Sequence, residues 1–450
     1  MDVIKWGIEH VLYPAMERRR GNRVRPYTEE LKRSERLSTA EARALTADKL
    51  KALLLHCVVH VPAYREFAGL AEQIEADPFS ALLQFPLLTK QAYMACPDDF
   101  LSDTVQKEQL ILNRTGGSTG EPVKFYMDRK TVEYYEAARW RGLSWRNVTP
   151  GSRSVMIWGN PFELSQNEQR AHARKERFLK NRVILSAYDI DPKRIDEIVR
   201  AIDRFRPEYL YGYPSPMTTV AELMLVRGLR LRTPLKVVVS TAETLTPAAR
   251  DTIEAAFGAP VANEYGARDA GILAYECPEG GMHISSENVF LEVVHPETGE
   301  PLPSGEFGVL LATDLNNFSQ PRLRYRLGDT GILSDQTCSC GRSLPLIESL
   351  EGREDSMFVR TDGGFVHGNA FTQLARALDC IARFQVVQKS PELAVLNVVL
   401  RPGEGDPARD LALLVERASA LLPGTELQIE RVNDIPLSGS GKFRSSIREF

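Results

Sequence analysis

The stretch Arg114-Thr115-Gly116-Gly117-Ser118-Thr119-Gly120-Glu121-Pro122 sets three glycines among three hydroxyl residues. Backbone N–H groups and hydroxyls in such a run can wrap a polyphosphate without side-chain obstruction, and the plain alternative is a Gly/Ser surface loop. Two P-loop readings fail. The lysine required after the last glycine is replaced by Glu121; in Gly439-Ser440-Gly441-Lys442-Phe443 the leading glycine is Pro436 and the closing Ser/Thr is Phe443. This excludes a Walker-type NTPase. A second constellation is Cys277 with His283, followed by Cys338 and Cys340 after a β-rich stretch. Three thiolates and one imidazole complete a tetrahedral zinc site with no open position, which implies a structural role. Reduced, unmetallated thiols are the alternative, because the spacing is not that of a compact finger.

The elements that must position these residues follow from composition and pattern. A chain of 450 residues predicts two or three units at about 150 residues each. With 43% hydrophobic and 26% charged residues, the balance is globular and excludes disorder. A net charge of −4 gives no basic field for nucleic acid or an acidic membrane, so small partners are expected. Charges at Asp2, Lys5, Glu9 and Glu17 interrupt the opening segment, which therefore lacks a signal-peptide core. No apolar run reaches the ~18 residues of a membrane span, and a cytoplasmic location is expected. Six cysteines are too sparse for a disulfide framework.

Ser38 and Glu41 predict a capping box, and Leu50, Leu53, Leu54, Cys57, Val58 and Val61 recur at helical spacing before Pro62, so the first hundred residues read as mostly helical. Strands are predicted at Ser154 to Trp158, Val183 to Tyr188, Tyr209 to Tyr211, Leu235 to Ser240 and into Tyr265. Helices fall between them at Arg194 to Phe205, Ser215 to Arg227 and Pro247 to Phe257. Such alternation predicts an α/β fold with a parallel sheet and crossover helices. Asn288 to Leu333 reads as a β-rich continuation. A boundary at Glu351-Gly352-Arg353 divides a large N-terminal domain, 1–350, from a small mobile α+β lid, 351–450.

Taken in order, these motifs resemble the phenylacetate-CoA ligase and CapK-like branch of the adenylate-forming superfamily. The resemblance rests on Thr115 to Pro122, Tyr211-Gly212-Tyr213-Pro214-Ser215, Ser240-Thr241-Ala242-Glu243-Thr244-Leu245 and Glu264-Tyr265-Gly266-Ala267-Arg268-Asp269. It continues through Arg324-Tyr325-Arg326-Leu327-Gly328-Asp329 and Gly352-Arg353-Glu354-Asp355 to Ser440-Gly441-Lys442-Phe443-Arg444, about nine tenths of the chain. It implies an enzyme that uses ATP to turn a carboxylic acid, an aryl or other small organic acid, into an acyl-AMP and then transfers the acyl group to CoA. ATP and AMP would be held by Thr115, Gly116, Gly117, Ser118, Thr119, Gly120, Ala242, Glu243, Glu264, Tyr265 and Gly266. Asp329, whose ionised oxygens can accept both ribose hydroxyls, would act with Arg353. Lys442 would bridge carboxylate and α-phosphate, Asp269 would ligate Mg²⁺, and Asp355 would be the hinge on which the lid swings. Their plain readings are a solvated terminal lysine, a turn aspartate and a surface ion pair.

Departures from the family pattern are Glu121 where many relatives have lysine, Arg268-Asp269 in place of Ser/Thr-Glu, and the loop Thr361 to Gly368, unlike that of typical CoA ligases. The loop keeps open an amine or hydroxyl acceptor in polysaccharide or natural-product assembly; a nucleotide-binding scaffold without turnover is a further alternative, against which the intact Lys442, Asp329 and Arg353 count. Trp158, Phe162, Tyr211, Tyr213 and Tyr265 offer walls for a flat acid or ordinary core packing. Arg170, Arg174, Lys175, Arg177 and Lys180 would meet CoA phosphates, an anionic carrier or only solvent.

Overall fold

Helix Thr39–His60 opens on the reciprocal box predicted for it: Glu41 N–H donates to Ser38 Oγ at 3.3 Å, and the Glu41 carboxylate accepts from Ser38 N–H at 2.8 Å. Its apolar stripe, Leu50, Leu53, Leu54, Cys57 and Val58, is buried in the largest core of the molecule together with Tyr64, Phe85, Leu291 and Leu310. The computed structural model describes residues 3–114, 123–158, 166–187, 190–376, 378, 380–401, 403, 406–436 and 445–450.

Strands β1 (Ile111–Arg114) and β2 (Lys124–Met127) pair antiparallel, and residues 115–122 between them lie outside the described residues. Helix Arg129–Ser144 follows, started by Asp128, whose carboxylate accepts from Thr131 N–H at 2.7 Å. Next come β3 (Ser154–Trp158), β4 (Arg182–Ser186), β5 (Tyr209–Gly212), β6 (Val237–Thr241) and β7 (Val261–Ala267), all parallel in the order β4-β3-β5-β6-β7. Side chains alternate across such strands. One face sends Val155, Ile157, Leu210, Val238 and Val261 against helices Ile195–Phe205, Pro214–Val226 and Pro247–Phe257. The other sends Tyr209, Tyr211, Val237, Val239 and Ala262 toward Leu143 and Trp140 of helix Arg129–Ser144.

The sheet continues antiparallel through β8 (Gly271–Glu276), β9 (Met282–Ile284), β10 (Val289–Val294), β11 (Phe307–Asp314), β12 (Tyr325–Ser334) and β13 (Leu346–Arg353). The order onward from β7 is β8-β9-β13-β12-β11-β10, which makes eleven strands. Beyond it lie the hairpin β14 (Met357–Val359) and β15 (Phe365–His367), then β16 (Ile381–Ser390), β17 (Leu393–Leu400), β18 (Glu426–Arg431) and β19 (Ser446–Arg448). The last four form a sheet ordered β18-β17-β16-β19. Helices Asn369–Arg376 and Pro407–Leu421 pack on it, and Phe358, Phe371, Leu396, Leu411 and Leu414 form an apolar cluster of their own.

The α/β expectation is borne out, with small corrections at element ends. Arg194 sits in a 3₁₀ turn, Pro192–Arg194, that precedes its helix, because Asp191 caps Lys193 and not Ile195. β6 starts at Val237, two residues after the expected Leu235. Among the described residues, no helix is long and apolar enough to cross a membrane.

Candidate functional site

Parallel strands β5, β6 and β7 all end at one edge of the sheet, where open α/β sheets place their ligands. Directly after β6, Ala242 takes φ +67°, a left-handed conformation that costs a non-glycine residue about 1 kcal/mol or more. The kink brings Glu243 to the start of helix Pro214–Val226, where its carboxylate accepts from Ser215 N–H at 3.1 Å. Ala242 and Glu243 thus lie beside a helix N-terminus, with Tyr265 and Gly266 following on the adjacent strand.

Tyr265 joins this edge to the antiparallel half. Its hydroxyl donates to Asp329 Oδ2 at 2.9 Å, while Arg353 Nη1 donates to Asp329 Oδ1 at 2.8 Å and to the Leu327 carbonyl at 3.1 Å. Asp329 and Arg353 are direct partners in the β12–β13 register. Burial raises the Asp329 carboxyl above its ordinary value, against the pull of the Arg353 guanidinium and the Tyr265 hydroxyl. Each oxygen already holds one donor and keeps a further lone pair that can accept another. Gly328 has φ +74°, and a Cβ there would stand 2.8 Å from Arg353 Nη2, so only glycine lets the guanidinium lie across the turn.

Neighbouring arginines, to which the sequence reading gave no role, hold this turn in place. Arg324 has φ +50°, and Glu292 fixes it through a buried ion pair at 3.0 Å. Arg324 Nη1 also donates to the Phe85 carbonyl at 3.0 Å. Arg326 Nε donates to Glu354 at 2.9 Å, which ties β12 to the 3₁₀ turn Glu354–Ser356 that contains Asp355. Arg322 donates to the Asp269 carbonyl, and the Asp269 carboxylate faces the Tyr325 hydroxyl. Arg268 Nη1 reaches the Arg114 carbonyl at 3.3 Å, at the foot of the glycine-rich stretch. Thr115, Gly116, Gly117, Ser118, Thr119 and Gly120 are outside the described residues, as is Lys442 within 437–444.

Glu264 behaves differently from Tyr265. Its carboxylate turns to the opposite face, where Oε1 accepts from the Tyr211 hydroxyl at 2.6 Å and from Thr241 Oγ1 at 3.3 Å. Trp158 stacks on Tyr213 at 4.1 Å between ring centroids, and Phe162 lies outside the described residues. Arg174, Lys175, Arg177 and Lys180 are exposed, with Arg177 lying over the Phe205 ring at 4.1 Å and Lys180, just past the helix end, paired with Glu176 at 2.8 Å; nothing is described for the Arg170 side chain.

The structure also brings Cys277, His283, Cys338 and Cys340 together, with all four ligand atoms within 4.8 Å of one another. Cys277 Sγ is 3.6 Å from Cys338 Sγ, and His283 Nε2 is 3.1 Å from Cys340 Sγ. Bonds of ~2.3 Å to a tetrahedral zinc put two sulfurs about 3.8 Å apart, so the donor set fits the ion. The His283 Nδ1–H donates to the Leu344 carbonyl at 3.2 Å, which leaves the Nε2 lone pair for the cluster. Gly281 makes room, because a Cβ there would lie 2.7 Å from Cys338 Sγ. Burial pushes the Cys277 thiol up to about 12 and the His283 imidazole down to about 4, so the ring is neutral.

A sheet with a parallel half and an antiparallel half, followed by a small α+β unit, is the fold of the adenylate-forming ligases. A solved 2-hydroxyisobutyryl-CoA ligase in the postadenylation state, bound to 2-HIB-AMP, overlays with a TM-score of 0.71 at 21% identity, covering 93% of this chain and 91% of that one. Residues 358–449 match the family model of the CapK C-terminal domain. In sequence the chain is similar to phenylacetate-coenzyme A ligase of Thermus thermophilus, 29% identical over 336 residues that cover 72% of this chain and 73% of the relative. It is also similar to protein CapK of Staphylococcus aureus, 25% identical over 375 residues, 81% of this chain and 79% of the relative. The resemblance to the phenylacetate-CoA ligase and CapK-like branch of the adenylate-forming superfamily is borne out.

Proposed function

We propose that this chain activates a carboxylic acid with ATP, releasing pyrophosphate to form an acyl-AMP, and then passes the acyl group to CoA. The observation that carries the reading is the Asp329 carboxylate, held between Tyr265 and Arg353 at the carboxyl edge of an adenylate-forming fold. Asp329 and Arg353 take the ribose. Ala242, Glu243, the Glu264 backbone, Tyr265 and Gly266 line the adenylate, and Thr115 to Gly120 wrap the phosphates. Asp269 supplies an oxygen ligand for Mg²⁺, the hard cation that neutralises phosphate charge. Lys442 meets the reacting carboxylate and α-phosphate, which repel each other until a cation stands between them. Residues 351–450 form a lid that turns at Asp355 between the two steps, in the cytoplasm.

The similarity to CapK, in the whole chain and in residues 358–449, favours a second reading in which an amine or hydroxyl replaces CoA as acceptor. Pyrophosphate release over a panel of acids, measured with and without CoA, separates the two. Thioester formation supports the first reading. Acid-dependent pyrophosphate without thioester supports the second, and no acid-dependent pyrophosphate removes both.

Asp329→Ala raises the KM for ATP by about tenfold or more with a smaller effect on kcat, because a ribose contact is made in ground and transition states alike. Initial rates against ATP concentration test this, and an unchanged KM rejects the ribose assignment. The protein as purified contains about one Zn²⁺ per chain, on Cys277, His283, Cys338 and Cys340. Removing it loosens the segment between Cys277 and Cys340, because metal binding in a closed thiolate site is coupled to local folding. Elemental analysis paired with hydrogen exchange tests this, and metal-free protein with unchanged protection in that segment contradicts it.

A further inference from the structure

Next to the adenylate edge, the structure buries a carboxylate oxygen and a guanidinium N–H that face each other as an ion pair without a hydrogen bond. Glu264 Oε1 is saturated by Tyr211 and Thr241. Glu264 Oε2, on a side chain only 1% exposed, lies 3.5 Å from Arg139 Nε. Both atoms are buried, and neither makes a hydrogen bond among the described residues. The Tyr275 hydroxyl, on the residue paired with Glu264 across β7 and β8, is buried and unbonded as well. Leaving a buried polar atom without a hydrogen bond is unfavourable, and three on one patch of sheet call for an explanation.

The two atoms form a buried ion pair at 3.5 Å that is not a hydrogen bond, and only the outer part of the Arg139 side chain reaches the surface. Arg139 projects from helix Arg129–Ser144 with its side chain 36% exposed, and Nη1 donates to Glu136 at 3.2 Å. Trp158 and Tyr213, at the carboxyl ends of β3 and β5, stack beside Tyr211. The same edge carries Ala242 and Tyr265, so a molecule whose carboxylate reaches the adenylate could lay its skeleton on the Trp158–Tyr213 pair and direct its far end at Glu264 and Arg139.

A hydroxyl meets both unbonded groups at once, because its O–H donates to Glu264 Oε2 and its oxygen accepts from Arg139 Nε. An ammonium group could donate to Glu264 but would be repelled by Arg139. A bare aryl or alkyl end would leave both groups desolvated and unpaired. We propose that the acid activated here is a hydroxy acid, its hydroxyl lodged between Glu264 and Arg139. This rests on the adenylation reading above and narrows its substrate class.

The test uses matched acids that differ by one hydroxyl: 4-hydroxyphenylacetate with phenylacetate, 3-hydroxybenzoate with benzoate, and 3-hydroxybutyrate with butyrate. Pyrophosphate release is measured for each acid, with thermal stabilisation by the acid alone as a second readout. At least one hydroxylated member exceeds its parent by about tenfold or more in kcat/KM, since a site built to bond a hydroxyl rejects the analogue that lacks it. In Glu264→Leu that ratio falls to one or below. Arg139→Met, at a partly exposed position, repeats the test should Glu264→Leu fail to fold. Parent acids used as well as their hydroxylated partners by the unmodified protein overturn the hydroxy-acid assignment and leave adenylation standing, as does a preference that survives both variants. No pyrophosphate from any acid removes adenylation. If the acids then also stabilise the protein without regard to the hydroxyl, both readings fall, whereas hydroxyl-dependent stabilisation retains the pocket.

Discussion

Lys442→Ala slows pyrophosphate release by about 10²–10³-fold, the usual loss when one donor aimed at developing transition-state charge is removed, and leaves the thermal transition unchanged. The carboxylate and the α-phosphate are both anions, so the barrier is set by charge and position more than by any protein nucleophile. The lysine follows a glycine and stands four residues before β19, which pairs in parallel with β16 from Val386↔Ser446 to Gln388↔Arg448. Ser356 Oγ donates to the Ser446 carbonyl at 3.4 Å, so the strand behind the lysine is tied to the turn that holds Asp355. Among the described residues, the C-terminal core is built from Phe358, Leu396 and Leu414 among others. Single-turnover pyrophosphate release is the measurement, and near wild-type rates in the variant reject the role.

Arg141→Met destabilises the fold by about 3–5 kcal/mol, the range for removing one partner of a buried ion pair. Arg141 and Glu287 have side chains 1% and 4% exposed and meet at 2.7 Å. Arg141 Nη2 donates to Ser285 Oγ at 3.1 Å, and Ser34 Oγ donates to the same Glu287 carboxylate. The pair joins helices Val24–Ser34 and Arg129–Ser144 to the turn between β9 and β10. In the single variant Glu287 is left charged and buried. The double variant Arg141→Met with Glu287→Leu recovers most of the loss, because apolar side chains of similar volume replace a buried pair with little penalty. Urea midpoints for the two variants check this; a loss below about 1 kcal/mol in the single variant shows that Glu287 finds other compensation.

The sequence made the strands of the parallel half legible because most are short apolar or aromatic runs between helical patterns, the β-branched run Val237 to Thr241, followed by a helix capped by Thr246, being the clearest. Helix Pro247–Phe257 has the ends that its Pro and following Gly258 dictate. Nonlocal strand order was not legible. β13 inserts between β12 and β9, pairing Leu346 with His283, and this closes the 61-residue gap between Cys277 and Cys338. Spacing alone therefore left zinc and free thiols as alternatives.

Side-chain direction was hidden for a related reason. Glu264 and Tyr265 are neighbours in one motif, yet the pleat sends one to Tyr211 and the other to Asp329. Arg139 gave no signal, since an arginine on a charged helix ordinarily reads as a solvated face; only the packing of its helix against β8 brings it to Glu264 on the neighbouring strand. Arg141 was silent in the same way, because a buried arginine is recognised by its partner, 146 residues away.

The central claim is that the carboxylate attacks the α-phosphorus of ATP. An acid labelled with ¹⁸O in both carboxylate oxygens tests it most directly. Attack makes one labelled oxygen the bridge of the acyl-AMP, and cleavage at the acyl carbon by the acceptor, or by water, leaves that oxygen on phosphorus. The AMP produced therefore carries one ¹⁸O, with unlabelled pyrophosphate released beside it. Label found in inorganic phosphate with ADP as the nucleotide product would mean attack on the γ-phosphorus and an acyl phosphate, and would contradict the account.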